Sequence, residues 1–209
     1  MTTVTRWWWV RHAPVIDVEG IIYGANDVEC DTTDLQSFEN LAAQLPSDAV
    51  WLTSHLTRTH RTANAIADAG LTFPTPVREA HLGEQDFGHW QGSTWDEMRS
   101  KDEATYDAFW EMPARNRPPG GESFSDLINR AGAVIDRYTQ QYAGKDIVAV
   151  THGGTIRAAI SHALELTPET GMSFTIGTLS LTRLEHIEGG LLRGKGRSWR
   201  AVTINQAAK

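Results

Sequence analysis

The chain has 209 residues, of which 40% are hydrophobic and 22% charged, with 19 basic against 26 acidic side chains and a formal net charge of −7. That length suits one well-buried globular domain or at most two small ones, and the acidic balance argues against nucleic acid or an anionic membrane as partner. Cys30 is the only cysteine, which excludes an intrachain disulfide and any multi-cysteine metal site. No long apolar run and no signal-like segment is present, so the expected location is the cytoplasm.

A first strand is predicted from Val4 through Val10, buried on both faces, with Trp7, Trp8 and Trp9 as sheet core on alternating sides and Pro14 as its stop. It delivers Arg11 and His12 just past its carboxyl end, where an open α/β sheet places its chemistry. A guanidinium beside an imidazole offers an anion clamp next to a nucleophile. The plainer alternative is that His12, one of 8 histidines, lies in an ordinary turn. From Val15 to Asp31 the period is lost and Gly20, Gly24, Asn26 and Asp27 mark a loop. Thr33-Asp34-Leu35-Gln36 reads as a capping box opening a helix that runs through Leu45 to Pro46. Ala49 to Ser54 is a second short buried strand, followed by a helix from Leu56 to Ala69 that Gly70 ends. Pro74 to Val77 suits a short edge strand.

Residues 82–121 break the pattern, with three glycines in Leu82 to Gly92, a cap at Ser93-Thr94-Trp95-Asp96, and Pro113, Pro118, Pro119, Gly120 and Gly121 marking a closing loop. This stretch has too few aliphatic residues for a core of its own, so it reads as an excursion, or lid, over the strand ends of a single domain spanning 1–209. Ser123 opens the clearest helix, with Phe124, Leu127, Ile128, Ala131, Val134, Ile135 and Tyr138 along one face and Gly144 beyond its end. Asp146 to Thr151 is a third buried strand, delivering His152-Gly153-Gly154, and Ile156, Ala159, Ile160, Ala163 and Leu164 form another helical stripe. Phe174 to Leu184 and Trp199 to Ile204 alternate, and with Gly189-Gly190 between them they predict an antiparallel pair at one end of the sheet. The expected fold is α/β, a three-layer α/β/α sandwich with a mostly parallel central sheet and one antiparallel edge region.

Three predicted strand ends thus carry Arg11 and His12, then Ser54 with Arg58, then His152. Strand-to-helix turns also expose backbone N–H groups at helix N-termini. Two arginines, two histidines and free amides suit a dianionic phosphoryl group. Glu84 adds a carboxyl in an aromatic loop, where partial burial would bring it toward the range of an acid catalyst.

Five motifs occur in order: Arg11-His12-Ala13; Ser54-x-Leu56-x-Arg58 with Thr62-Ala63; Leu82-x-Glu84-x-x-Phe87-Gly88-x-Trp90-x-Gly92; Gly120-Gly121-Glu122-Ser123; and Thr151-His152-Gly153-Gly154. Together they resemble the histidine phosphatase superfamily, in its phosphoglycerate-mutase-like branch, over roughly residues 4–165. The resemblance implies that His12 takes up the phosphoryl group as an N-phosphohistidine. It implies that Arg11, Arg58 and His152 bind the phosphoryl oxygens, and that Glu84 protonates the leaving alkoxide and then assists water. It implies no cofactor and no metal. The partner is then a small phosphorylated metabolite, with α-ribazole phosphate as one candidate by analogy, and a homodimer is left open. Phosphoglycerate mutase is the nearest rival reading, and a non-catalytic phosphate-binding or interaction protein is the rival of another class.

Where glycine usually follows the first Arg-His, this chain has Ala13, which is unsuitable if the backbone there needs φ > 0. Pro14 and Val15 replace small polar residues, and Val18 stands where an asparagine is common, with Asn26 as the candidate to stand in. Asn26, Trp90 and Arg157 are candidate substrate-pocket residues. Trp90, Trp95 and Trp110 also read as lid packing and Arg157 as a solvated helix residue. Glu122 reads as a structural partner, and the remaining histidines, His55, His60, His81, His89, His162 and His186, show no metal-ligand spacing.

Overall fold

The computed structural model describes residues 2–16, 18–192 and 198–208. Its sheet has six strands in the order β3-β2-β4-β1-β5-β6. Strands β1 (Val4–Arg11), β2 (Ala49–Thr53), β3 (Val77–Arg78) and β4 (Asp146–Thr151) run parallel, while β5 (Leu181–Ile187) and β6 (Trp199–Gln206) are antiparallel to their neighbours. Helices α1 (Leu35–Gln44) and α2 (Thr57–Asp68) cover one face; α5 (Phe124–Gln141) and α6 (Gly153–Leu164) cover the other. The three-layer α/β/α arrangement with one antiparallel edge is therefore present.

Strand alternation decides which layer each side chain joins. Ile147 and Ala149 of β4, with Trp7 and Trp9 of β1, face Val134, Ile135, Ile156 and Ile160. Val148 and Val150, with Val10, face Phe38, Leu41 and Ile66. Trp7 and Trp9 stack on one side of β1, centroids 4.8 Å apart and ring planes nearly parallel. Trp8 points the other way and is only half-buried. It donates to Asp146 Oδ1 at 2.8 Å and lies under the Arg183 guanidinium, so β1 is closed on both faces only near its carboxyl end.

Several boundaries differ from expectation. The cap of α1 is Asp34, which accepts from the amide of Ser37 at 3.2 Å, while Thr33 bonds Asp31 instead. The edge strand begins at Val77, not Pro74. The last pair begins at Leu181 rather than Phe174, because Leu179 adopts φ 54° and its amide donates to the Arg11 carbonyl, wrapping this segment around the end of β1. Residues 193–197, between Gly189-Gly190 and β6, lie outside the described residues.

The 82–121 excursion contains α3 (Trp95–Lys101) and α4 (Glu103–Glu111). Thr94 and Glu97 form a reciprocal capping box at the start of α3. Lacking aliphatics, the excursion gathers Trp90, Met98 and Phe109 with Ile22 of the preceding loop into a separate small cluster, flanked by Phe87, Trp95 and Tyr106. Short α7 (Pro168–Met172) follows α6.

Ile160 is fully buried where α6 meets the Trp7–Trp9 stack. Ile160→Ala is expected to cost about 2–5 kcal/mol. Urea unfolding checks this, with a lower midpoint and an unchanged m-value as the expected result.

Candidate active site

Strand register builds the site. Arg11 pairs with Thr151 across β1 and β4, and Val150 pairs with Thr53 across β4 and β2. The next residue of each strand, His12, His152 and Ser54, therefore emerges side by side at the carboxyl edge. The His12 amide donates to Thr151 O at 2.8 Å, extending the ladder by one step.

His12 is fully buried, and its Nδ1 lies 2.7 Å from the carbonyl oxygen of Ala13. A carbonyl only accepts, so Nδ1 carries the ring proton and Nε2 holds the lone pair. Nε2 is buried and has no hydrogen-bond partner among the described residues. Burial, then the nearby Arg58 charge, hold the His12 pKa down at about 3, against the weaker opposing effect of the Ala13 bond. The ring is therefore neutral at ordinary pH, with a free in-plane electron pair.

His152, also fully buried, lies 5.2 Å from His12 between ring centroids. Its Nδ1 accepts from Arg58 Nε at 3.3 Å, so its Nε2–H donates to Ser54 Oγ at 2.7 Å. Burial, followed by the neighbouring His12 and Arg58, keeps this imidazole neutral as well.

Arg58 sits in the first turn of α2 with no exposed surface. It donates from NH1 to Asn26 O and from NH2 to Gly24 O, both at 2.7 Å. With the bond to His152, three of the guanidinium's five N–H groups are committed to protein, and Tyr23 lies under its plane at 5.2 Å. Burial lowers its pKa, opposed chiefly by Glu84. Arg11 is half-buried and donates from NH1 to Ile176 O at 2.5 Å, leaving its buried Nε without a partner among the described residues.

Glu84 approaches from the excursion. Its Oε2 accepts from the Gly154 amide at 3.2 Å, in the first turn of α6, and its Oε1 from the Gln85 amide at 3.0 Å. A Cβ on residue 154 would overlap the Glu84 carboxylate, so only glycine admits this contact. At α2, the Asp27 carboxylate accepts from the Thr57 amide at 2.7 Å and the Thr57 hydroxyl at 2.6 Å. At each helix N-terminus at this edge one amide is thus already held by a side-chain carboxylate.

Beside Glu84 lies a cavity of about 220 Å³ whose walls include Tyr23, Phe87, Trp95, Gly154 and Arg157. Arg157 is held by its Nε, which donates to Phe174 O at 2.7 Å, and burial lowers its pKa against the opposing Glu84. Trp90 does not line this cavity; it is buried against Phe109, 4.9 Å between centroids, and Trp95 forms the wall instead. The Asn26 side chain does not line it either. Its Oδ1 accepts from Gln91 at 3.2 Å, and the residue meets Arg58 through its backbone carbonyl. A larger cavity of about 340 Å³ opens by Thr3, Thr5 and Trp199 at the amino end of β1, with no arginine among the described residues that line it.

Ala13 is not among the residues with positive φ, and its methyl is buried in the Phe38–Leu41 layer, so the departure from glycine carries no backbone strain. Among the described residues no cluster of three or more His, Cys, Asp or Glu side chains could hold a metal ion. No helix among them is long and apolar enough to cross a membrane. Sequence reasoning missed Tyr23, Asp27 and Arg130, which support Arg58, α2 and the Glu84 segment from far along the chain. None carries a local signal, because each partner is brought close only by the fold.

Comparisons with known proteins identify the family and the fold. A family model described as histidine phosphatase superfamily (branch 1) matches residues 7–194. The chain is 30% identical over 155 residues to a metal-independent phosphoserine phosphatase of Arabidopsis thaliana, covering 71% of this chain and 64% of that protein. It is 31% identical over 144 residues to a 2,3-bisphosphoglycerate-dependent phosphoglycerate mutase of Azorhizobium caulinodans, covering 66% and 68% respectively. Among solved structures, an α-ribazole phosphatase from Shigella flexneri superposes with a TM-score of 0.81 at 20% identity, with 96% of each chain covered. A mycobacterial glucosyl-3-phosphoglycerate phosphatase gives 0.79 at 22% identity, covering 98% of this chain and 100% of that one. These two likenesses establish the fold. With the family model matching nearly the whole sequence, the chain belongs to the histidine phosphatase superfamily.

Proposed function

We propose that this chain is a phosphomonoesterase that hydrolyses a small phosphorylated metabolite through an N-phosphohistidine on His12. The observation that carries the reading is Nε2 of His12: buried, unprotonated, without a partner among the described residues, and flanked by Arg11 and Arg58. A neutral imidazole attacks phosphorus well only where cations offset its repulsion from a dianion. In this reading Arg11 and Arg58 supply that charge, and His152 offers the Nε2–H that here rests on Ser54. As the bond from Nε2 to phosphorus forms, the ester P–O bond breaks and Glu84 passes a proton to the leaving oxygen. Glu84 then takes a proton from the water whose oxygen displaces the imidazole. His12, Arg58 and His152 expose no surface in this conformation, so an incoming phosphoryl group has to displace neighbouring side chains to reach them.

The cavity's aromatic walls and Arg157 suit a small ester body such as that of α-ribazole phosphate, with the 82–121 excursion serving as a lid on a single domain. The single buried cysteine, Cys30, fits a reducing, cytoplasmic location. Similarity to a phosphoglycerate mutase supports a second reading, in which the phosphoryl group returns to the substrate. Hydrolysis is favoured because the excursion is short for a mutase, which has to exclude water from the phosphoenzyme.

During p-nitrophenyl phosphate turnover, quenched samples are expected to contain acid-labile phosphate on the protein, and His12→Ala to abolish both this and turnover. Turnover that survives in His12→Ala ends the proposal. With 3-phosphoglycerate, free phosphate is the expected product; 2-phosphoglycerate without phosphate release would establish the mutase instead.

His12 also has a pH signature. Its folded pKa of about 3 lies below the ordinary 6.5 of an unfolded chain. The contribution to stability is therefore complete above about pH 6.5 and is lost as pH falls through that value toward 3, at up to about 1.4 kcal/mol per pH unit. Histidine ¹⁵N NMR is expected to show one Nδ1–H imidazole, absent from His12→Gln, that remains neutral at pH 5. Stability of the variant is expected to fall less steeply over the same range. A midpoint near 6.5 for that resonance overturns the assignment.

A further inference from the structure

The segment carrying Glu84 is gripped from beneath by one side chain of α5. Arg130 donates from NH1 to the His81 carbonyl at 2.8 Å and from NH2 to the Glu84 carbonyl at 2.9 Å. The same guanidinium pairs with the Glu122 carboxylate, Nε to Oε2 at 2.9 Å and NH2 to Oε1 at 2.6 Å. Glu122 carries the grip onward: its Oε1 accepts from the Asp86 amide at 3.0 Å and its carbonyl from Gln85 Nε2 at 3.0 Å. From the sheet side, the Thr151 hydroxyl donates to Leu82 O at 2.6 Å and the Thr155 hydroxyl to Gly83 O at 2.7 Å. The Arg130 and Glu122 side chains are only 23% and 19% exposed, so their ion pair is shielded from water.

From this arrangement we infer that Arg130, locked in place by Glu122, is a positioning residue that fixes the Glu84 carboxyl for proton transfer to the leaving oxygen. The inference rests on the reading of Glu84 as general acid. Among the described residues the Glu84 carboxylate has only two bonds of its own, one to the adjacent Gln85 amide, which moves with the segment, and one to Gly154. Its place is therefore inherited from the backbone of residues 81–86, which Arg130 holds at His81 and Glu84 and, through Glu122, at Asp86. Proton transfer needs donor and acceptor about 2.6–3.2 Å apart, so a small drift of this segment costs rate without any change in phosphate binding. Arginine suits the role because one planar fork reaches two carbonyls and a carboxylate together, which a lysine ammonium does not.

Loss of a correctly placed acid has a signature that general loosening lacks. p-Nitrophenolate leaves without help, whereas an alkoxide needs a proton as the P–O bond breaks. The test compares kcat for p-nitrophenyl phosphate with kcat for an alkyl monoester that the wild type turns over, in Glu84→Gln, Arg130→Ala, Arg130→Lys and Glu122→Gln. Arg130→Ala is expected to lose about 10- to 100-fold more on the alkyl ester than on the aryl ester, in the direction shown by Glu84→Gln, with little change in KM and incomplete rescue in Arg130→Lys. Thermal melting verifies that each variant is folded, and Glu122→Gln, which keeps both carbonyl contacts, supplies the same comparison if Arg130→Ala does not fold. Equal loss on both esters, while Glu84→Gln discriminates, overturns the role of Arg130 alone. A Glu84→Gln variant that does not discriminate removes the general acid and this inference with it.

Discussion

The 2.7 Å hydrogen bond from His12 Nδ1 to its neighbour's carbonyl decides what everything around it can do. It places the proton on one ring nitrogen and leaves the other as a bare lone pair. An unpaired buried acceptor costs about 1–3 kcal/mol, so the ring is held there by the sheet and not by its own preferences. The His12 amide is bonded to Thr151 and the Ala13 amide to the Thr62 hydroxyl at 2.8 Å. Both anchors belong to the framework, and the orientation of the imidazole therefore carries the precision of the β1–β4 ladder.

The positive charges are placed by the opposite means. Arg58 is fixed by carbonyls of the loop after β1, and a carbonyl is available at any residue. Loop 15–31 thus acts on the site through its backbone path, which its glycines allow. Gly24 has φ 44°, and a Cβ there would meet the Gln85 carbonyl at 2.8 Å. The same loop supplies Asp27 to α2, so the helix that bears Arg58 is capped by the strand–helix connection that wraps around it. Desolvation of Arg58 is offset by these dipoles and by Glu84, which leaves the guanidinium a cation beside two imidazoles too buried to become cations themselves.

How much of this was legible in the sequence follows from the same distinction. Strand ends could be read because the core of β4, Ile147-Val148-Ala149-Val150, is a continuous apolar run followed by Thr151 and His152, and the register then brings His12 and His152 together without further information. The antiparallel edge could be read from alternation, but its start could not, because alternation before Leu181 continues through a residue whose backbone turns left-handed. Trp90 and Trp95 were indistinguishable as residues in an aromatic-rich stretch without a period. The short helix α3 sets Trp95 on the cavity wall, while the turn before it sends Trp90 inward. Asp27 gave no signal, since its partner Thr57 lies thirty residues away, and for Arg130 nothing local pointed to the His81 and Glu84 carbonyls, more than forty residues back along the chain.

Glu84 belongs to the part of the molecule with the least aliphatic core, yet the proposed proton transfer asks most of it in precision. The excursion resolves this conflict with polar and backbone contacts where a helix pair would use leucines. The two ends of the excursion meet backbone to backbone at Gly88, whose left-handed φ of 54° brings it against the Pro119–Gly121 turn so closely that no side chain fits. Thr151 and Thr155 then tie the near end to β4 and α6, the elements that carry His152 and Gly154. A carboxyl held through threonines and one arginine fork is located by bond directions, and these tolerate less displacement than apolar packing does. For that reason the hydroxyls and the partly buried ion pair around residues 81–86, and not the aromatic cluster farther out, set the relation between Glu84 and the histidines.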